Sequence, residues 1–189
     1  PQRSKRHHLR LYNSGVRFER VTTDITVNFP LTDRGNRYIL AIQCYFSKYL
    51  VLVPMNDMTA NTVAKHIAEQ WLCRFGPPME LYSDQGRQYE SALLREVMDF
   101  HPSSDGMVER SNRTVKDMLS KVVAEDQRDW DLQLPFLAMA YNNTPHDTTK
   151  ISPYRMLYGE EMVLPLESTL GRTLDVGGPE HPLNYSQRL

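Results

Sequence analysis

The clearest structural signal in the chain lies in residues 18–53, FERVTTDITVNFPLTDRGNRYILAIQCYFSKYLVLV. Three runs in it are rich in Val, Ile, Thr and Tyr, as β-strands are: Phe18–Val27, Tyr38–Tyr45 and Tyr49–Val53. Between the first two runs, Pro30–Asn36 contains the Asp, Gly and Asn residues that favour a turn. This stretch therefore predicts three neighbouring strands that begin a β-sheet.

The sequence after these strands alternates between helical and strand patterns. Thr59–Phe75 has apolar residues at helical spacing, and Gly76 with the prolines after it should end that helix. Further segments predict a short strand at Met79–Ser83 and helices at Ser91–Phe100, Met107–Val123, Asp131–Tyr141 and Pro153–Tyr158, the last with Ser152 as its N-cap and Gly159 at its end. The order predicts an α/β fold, a mixed sheet flanked by helices.

Length and charge limit the possible organisation and function of the chain. Its 189 residues suit one domain with tails. We expect a basic arm at 1–16, a core at 17–159 and an extended tail at 160–189. The net charge of −1 argues against tight autonomous DNA binding, because dedicated nucleic-acid binders are usually basic. An enzyme with basic groups along one groove remains possible.

The apolar residues and the cysteines predict a soluble protein of a reducing compartment. No apolar run reaches the roughly 18 residues that a membrane span requires. Cys44 and Cys73 have no partners at metal-ligand spacing, and both lie in apolar segments, as buried free thiols do.

Three acidic residues occupy positions that suit metal-dependent phosphodiester chemistry. Asp24 lies within the first predicted strand, Asp84 directly follows the strand at Met79–Ser83, and Glu109 lies near the start of a helix. Two hard cations held by such carboxylates can activate an attacking oxygen and stabilise a leaving one. The chain has 23 acidic residues, so spacing alone leaves this set as one choice among many.

Four stretches, in order, resemble the integrase core of Ty3/gypsy-type retrotransposons, a relative of retroviral integrases. They are FERVTTDITVNFPLTDRGNRYILAIQCYFSKY, WLCRFGPPMELYSDQGRQYES, HPSSDGMVERSNRTVKDMLS and DWDLQLPFLAMAYNNTPHDTTKISPYRMLYGEE. The resemblance implies a ribonuclease-H-like fold and a nuclear enzyme that inserts element DNA into target DNA by 3′-end processing and strand transfer. It further implies Mg²⁺ or Mn²⁺ held by Asp24, Asp84 and Glu109, and a homo-oligomeric active form without membrane association.

The helix that carries Glu109 presents further polar residues on the same face. Asn112, Arg113 and Lys116 follow at i+3, i+4 and i+7, so they share that face. Beside a metal site, such groups would hold DNA phosphates. The alternative is a solvated surface on which Glu109 pairs with Arg113.

The chain departs from the family pattern in three places. The residues QRSK near the start resemble the end of the family's zinc-binding domain, whose ligands are absent, and Cys44 replaces a common acid. More seriously, 24 residues separate Asp84 from Glu109, roughly eleven fewer than the pattern has. We expect the fifth, edge strand to be missing and Glu109 to be misplaced, which would impair the enzyme. The alternatives are an inactive relic or domesticated nucleic-acid-binding domain, and a ribonuclease-H-type nuclease.

Overall fold

A computed structural model describes residues 16–27, 29–83, 100–102 and 128–164. Within these ranges the chain forms a five-stranded sheet of order β3-β2-β1-β4-β5. The strands are β1 (Arg20–Thr26), β2 (Tyr38–Cys44), β3 (Leu50–Met55), β4 (Glu80–Ser83) and β5 (Phe100–Pro102). β1, β2 and β3 form an antiparallel meander, whereas β4 runs parallel to β1 and β5 parallel to β4. The predicted mixed sheet is confirmed, with β1 at its centre.

One face of the sheet is covered by a helix that follows β3. This helix, α1 (Ala60–Ile67), continues through a π-helical turn at Ala68–Leu72 and a final turn at Cys73–Phe75. It packs Val63, Ile67 and Trp71 against the sheet, and all three side chains are fully buried. The helix ends at Gly76, whose φ of 81° is readily adopted by glycine, as the sequence predicted.

The opposite face is covered by α2 (Trp130–Asn143). Its apolar side packs on β2 and β3 through Trp130, Leu134, Leu137 and Tyr141. Polar contacts fix the start of the helix: the Trp130 indole donates to the Pro30 carbonyl at 2.8 Å, and Asp131 accepts from Asn36 at 2.8 Å. The β1–β2 turn is thereby bound to the helix start.

The end of α2 protects the edge of the sheet. β3 is an edge strand, and the buried Leu50 lies where its backbone groups point away from β2. The Asn142 side chain accepts from the Leu50 N–H and donates to the Leu50 carbonyl, both at 2.8 Å. Asn142 therefore replaces a neighbouring strand at this residue.

A short helix, α3 (Pro153–Tyr158), follows α2 with the ends that the sequence predicted. Ser152 caps its start by accepting from the Arg155 N–H at 3.1 Å, and Pro153 occupies the first turn. Gly159 ends it in the left-handed region at φ 87°. Arg17 donates to the Leu157 carbonyl and links α3 to the start of the core.

The expected loss of the fifth strand is wrong. Phe100–Pro102 pairs with β4 over three residues, so this strand is shortened but present. The predicted helix at Ser91–Phe100 is wrong at Phe100 for the same reason: hydrogen bonding to β4 overrides the local pattern. The rest of that helix and the one predicted at Met107–Val123 lie outside the described residues, as do most of the arm and tail.

None of the described helices combines the length and apolar character that a membrane crossing requires.

Candidate active site

Asp24 lies in the central strand, on the face that α2 covers. Its register partner in β2 is Ala41, which belongs to the apolar cluster beneath α2. The side chain is half-buried, and its Oδ1 accepts a hydrogen bond from the Ile25 N–H at 2.8 Å. A carboxylate bound in this way has a restricted orientation.

The parallel pairing of β1 with β4 relates Asp24 to Asp84. Thr23 is paired with Ser83, and these two residues directly precede the two aspartates. Asp84 itself lies outside the described residues, as do Glu109, Asn112, Arg113 and Lys116. The described part of the chain contains no group of three or more His, Cys, Asp or Glu side chains that could hold a metal ion.

A second polar cluster lies on the same face, at the start of the β1–β4 pair. Arg20 and Glu80 are register partners, and Nε and Nη2 of Arg20 lie 2.6 Å and 2.5 Å from Oε2 of Glu80. The Tyr82 hydroxyl donates to the same oxygen at 3.0 Å. The Arg20 guanidinium also lies 4.9 Å from the centre of the Tyr82 ring and 5.6 Å from that of Tyr45. Three donor groups thus converge on one carboxylate oxygen.

The charge on Arg20 is stabilised by these neighbours. Burial by itself would lower the pKa of Arg20, but the hydrogen bond to Glu80 and the proximity of Tyr82 outweigh it, and the pKa is raised. The two side chains are 13% and 33% exposed, so solvent screens the pair less than it would screen a surface ion pair.

Sequence reasoning did not identify this cluster, although a signal was present. Arg20 and Glu80 each stand four residues before an aspartate that was identified, Asp24 and Asp84. Only the pairing of β1 with β4 shows that Arg20 and Glu80 are neighbours.

A family model described as the integrase core domain matches residues 17–103. Residues 17–103 form an integrase core domain. The matched range begins just before β1 and ends just after β5, so the model covers the whole sheet of this integrase core. The resemblance drawn from the first two sequence stretches is thereby confirmed, because both lie within the matched range.

Curated relatives of the integrase core are polyproteins of retroelements. The chain is 29% identical over 159 residues to the retrovirus-related Pol polyprotein from transposon 412 of Drosophila melanogaster, which covers 78% of this chain and 13% of the relative. It is 36% identical over 137 residues to the Gag-Pol polyprotein of woolly monkey sarcoma virus, covering 66% of the chain and 8% of the relative. The chain thus spans a small part of the length of these relatives.

Solved structures share the fold of the integrase core. The HTLV-2 integrase catalytic core domain, described in complex with magnesium and as a trimeric form, has a TM-score of 0.61 at 16% identity, covering 74% of this chain and 95% of that one. A chain of the simian T-cell lymphotropic virus intasome in complex with PP2A regulatory subunit B56 gamma has a TM-score of 0.61 at 15% identity, covering 74% of this chain and 54% of that one. The predicted ribonuclease-H-like fold is confirmed.

Proposed function

We propose that this chain is the catalytic core of a metal-dependent DNA integrase, which processes 3′ ends of element DNA and transfers them to target DNA. The observation that supports this proposal is the pairing of Thr23 with Ser83 in parallel strands. If both strands continue by one residue, Asp24 and Asp84 lie side by side about 4.8 Å apart, the spacing between neighbouring strands. Two adjacent carboxylates of this kind suit a shared pair of divalent cations.

The chemistry of the donor set fits Mg²⁺ or Mn²⁺. Asp24 offers a half-buried carboxylate whose orientation is held by the Ile25 N–H. Asp84 and Glu109 would complete the set of hard oxygen ligands. When bound, the ions supply activation of the attacking oxygen and stabilisation of the leaving oxygen of the phosphodiester. The protein's own contribution is to hold the three carboxylates in place.

The position of β5 supports the participation of Glu109. Pro102 pairs with Ser83 in parallel strands, so β4 and β5 end at the same end of the sheet. β5 is two strands from β1, about 10 Å away. The six residues between Pro102 and Glu109 can span up to about 20 Å, so Glu109 can approach Asp24 without full extension.

Partners and location follow from the same proposal. Asn112, Arg113 and Lys116 would contact DNA phosphates next to the metal ions, which gives binding without strong sequence preference. The oligomeric structural relatives favour a homo-oligomer that assembles on DNA. Action on host DNA requires a nuclear location.

The decisive experiment compares the unaltered full chain with Asp24→Asn. Titration calorimetry with Mn²⁺ should show metal affinity that Asp24→Asn greatly weakens, and joining of a labelled duplex oligonucleotide to a plasmid should depend on the metal and on Asp24. The matched control is Asp147→Asn, because Asp147 is an exposed carboxylate of the loop after α2. If Asp24→Asn and Asp147→Asn bind the metal equally well, Asp24 is not a ligand.

The runner-up is a nucleic-acid-binding domain without turnover. The observation that favours it is the shortened β5, which leaves three residues to fix the start of the segment that leads to Glu109. Catalytic groups must be held within about 0.5 Å of their productive positions. This alternative predicts that the full chain binds metal and DNA but joins no oligonucleotide under any metal condition.

A further inference from the structure

The pairing of β1 with β4 is short, with four residues of each strand in register. β4 is four residues long. β1 presents Thr22 to one face of the sheet and Thr23 to the other, so the two faces of β1 carry the same type of side chain at this point. Register is poorly determined where both faces of a strand are similar. Among the β4 residues, Leu81 is fully buried in the α1 cluster, which opposes a slip of one residue because such a slip would turn it to the other face.

A slip of two residues is not opposed in this way. It leaves every side chain on its original face, so Leu81 would still face α1. It would, however, move Asp84 about 7 Å along β1 relative to Asp24. That displacement exceeds the separation of about 3.5–4 Å between the two metal ions of such sites. The slip would also displace the buried Leu81 along the sheet, and an interaction specific to one pair of residues would add to this resistance.

The contacts of Arg20 provide that discrimination. In the observed register Arg20 faces Glu80, and after a two-residue slip it would face Pro78 or Tyr82 instead. One backbone hydrogen bond joins the two strands at the same point, since Glu80 N donates to the Glu19 carbonyl at 3.0 Å. A partly buried charge that loses its partner is strongly unfavourable, and setting register is the best-supported use of buried ionic groups.

We propose that the Arg20–Glu80 pair, supported by the Tyr82 hydroxyl, sets the register of β1 against β4 and thereby positions Asp24 beside Asp84. Arg20 stands four residues from Asp24, about 13 Å along the strand, too far to bind the same metal ions, so it acts as a positioning residue. The inference deepens the proposed function and rests on it, because the register matters only if the two aspartates work together.

The experiment uses charge reversal in the full chain, with Arg20→Glu, Glu80→Arg and the double variant. Nuclear Overhauser contacts between Thr22 and Tyr82, and between Thr23 and Ser83, report the register directly. Calorimetry with Mn²⁺ reports the site. Each single reversal should lose these contacts and weaken Mn²⁺ binding about 10- to 100-fold, the range seen for groups behind metal ligands. The double variant should recover both, with affinity within about threefold of the original.

The matched control is the reversal of Lys65 and Glu69, an exposed pair on α1 at 3.9 Å, which should change neither readout. If the single reversals do not fold by circular dichroism, Arg20→Lys and Glu80→Gln take their place, and weaker effects in the same direction are expected.

Unchanged strand contacts in the single variants would overturn the inference, even if Mn²⁺ affinity fell. A merely structural pair would lower the denaturation midpoint and leave the Mn²⁺ affinity of the folded protein unchanged. If the unaltered chain binds no Mn²⁺, the proposed function fails, and the strand contacts still decide whether the pair sets the register.

Discussion

Replacement of Asn142 by alanine tests how the exposed edge of the sheet is protected. The Asn142 amide makes two hydrogen bonds of 2.8 Å to the backbone of Leu50, and both residues are buried. Alanine cannot replace either bond, so the Leu50 N–H and carbonyl would lose their partners. We expect the variant to be markedly less stable while the rest of the fold is retained.

The magnitude follows from the two backbone groups that lose their partners. Each unsatisfied buried polar group costs about 1–3 kcal/mol, so the loss should be about 2–6 kcal/mol. The better helix propensity of alanine returns about 0.5 kcal/mol. Since a domain is typically stable by about 5–15 kcal/mol, the change would remove a large share of the free energy of unfolding.

Urea denaturation of the full chain, followed by tryptophan fluorescence, measures this loss. Asn143→Ala is the matched control, because Asn143 is the next residue of the same helix and is half-buried. Its replacement removes the same chemical group and should change stability by no more than about 0.5 kcal/mol. Equal losses in the two variants would refute the role assigned to the Asn142 amide.

Three other outcomes are expected. Burial lowers the pKa of His66, so as the pH falls the unfolded chain binds a proton at this residue before the folded chain does. The stability that neutral His66 contributes above about pH 6.5 should therefore be lost below that pH. His66→Gln should make the urea midpoint depend less on pH between about pH 8 and pH 5. Replacing both Arg113 and Lys116 by alanine should weaken DNA binding, as measured by fluorescence anisotropy. The slope of log affinity against log salt concentration should fall by the amount expected for about two phosphate contacts. An unchanged slope would mean that this surface is only solvated. Inserting roughly eleven residues after Val97 should raise strand transfer at least tenfold, because small misplacements of catalytic groups are costly, and equal rates would show that the short segment is tolerated.

Local sequence pattern was sufficient to predict the meander and the helices that were tested. β1, β2 and β3 differ from the predicted runs by at most two residues at either end, because their alternation and β-branched content are local properties. The ends of α3 were likewise predicted from Ser152 and Gly159, whose roles depend on neighbouring backbone groups alone.

Features that depend on distant partners were not predicted. Phe100–Pro102 has no strand pattern and ends in proline, and it is a strand because β4 provides hydrogen-bonding partners beside it. The Arg20–Glu80 pair also requires knowledge of which strands are neighbours. At the candidate site, Asp24 lies in the strand predicted for it, whereas the placement of Asp84 and Glu109 remains a prediction.

The position of β1 at the centre of the sheet also has a consequence for the order of folding. Eleven residues, 27–37, separate β1 from its antiparallel partner β2, so the meander can form quickly from contacts that are close in sequence. Its parallel partner β4 begins at Glu80, 60 residues after Arg20, and can pair only after a long loop has closed. We therefore expect the half of the site that contains Asp24 to form early in folding, and the half supplied by β4 to join it in a later, slower step.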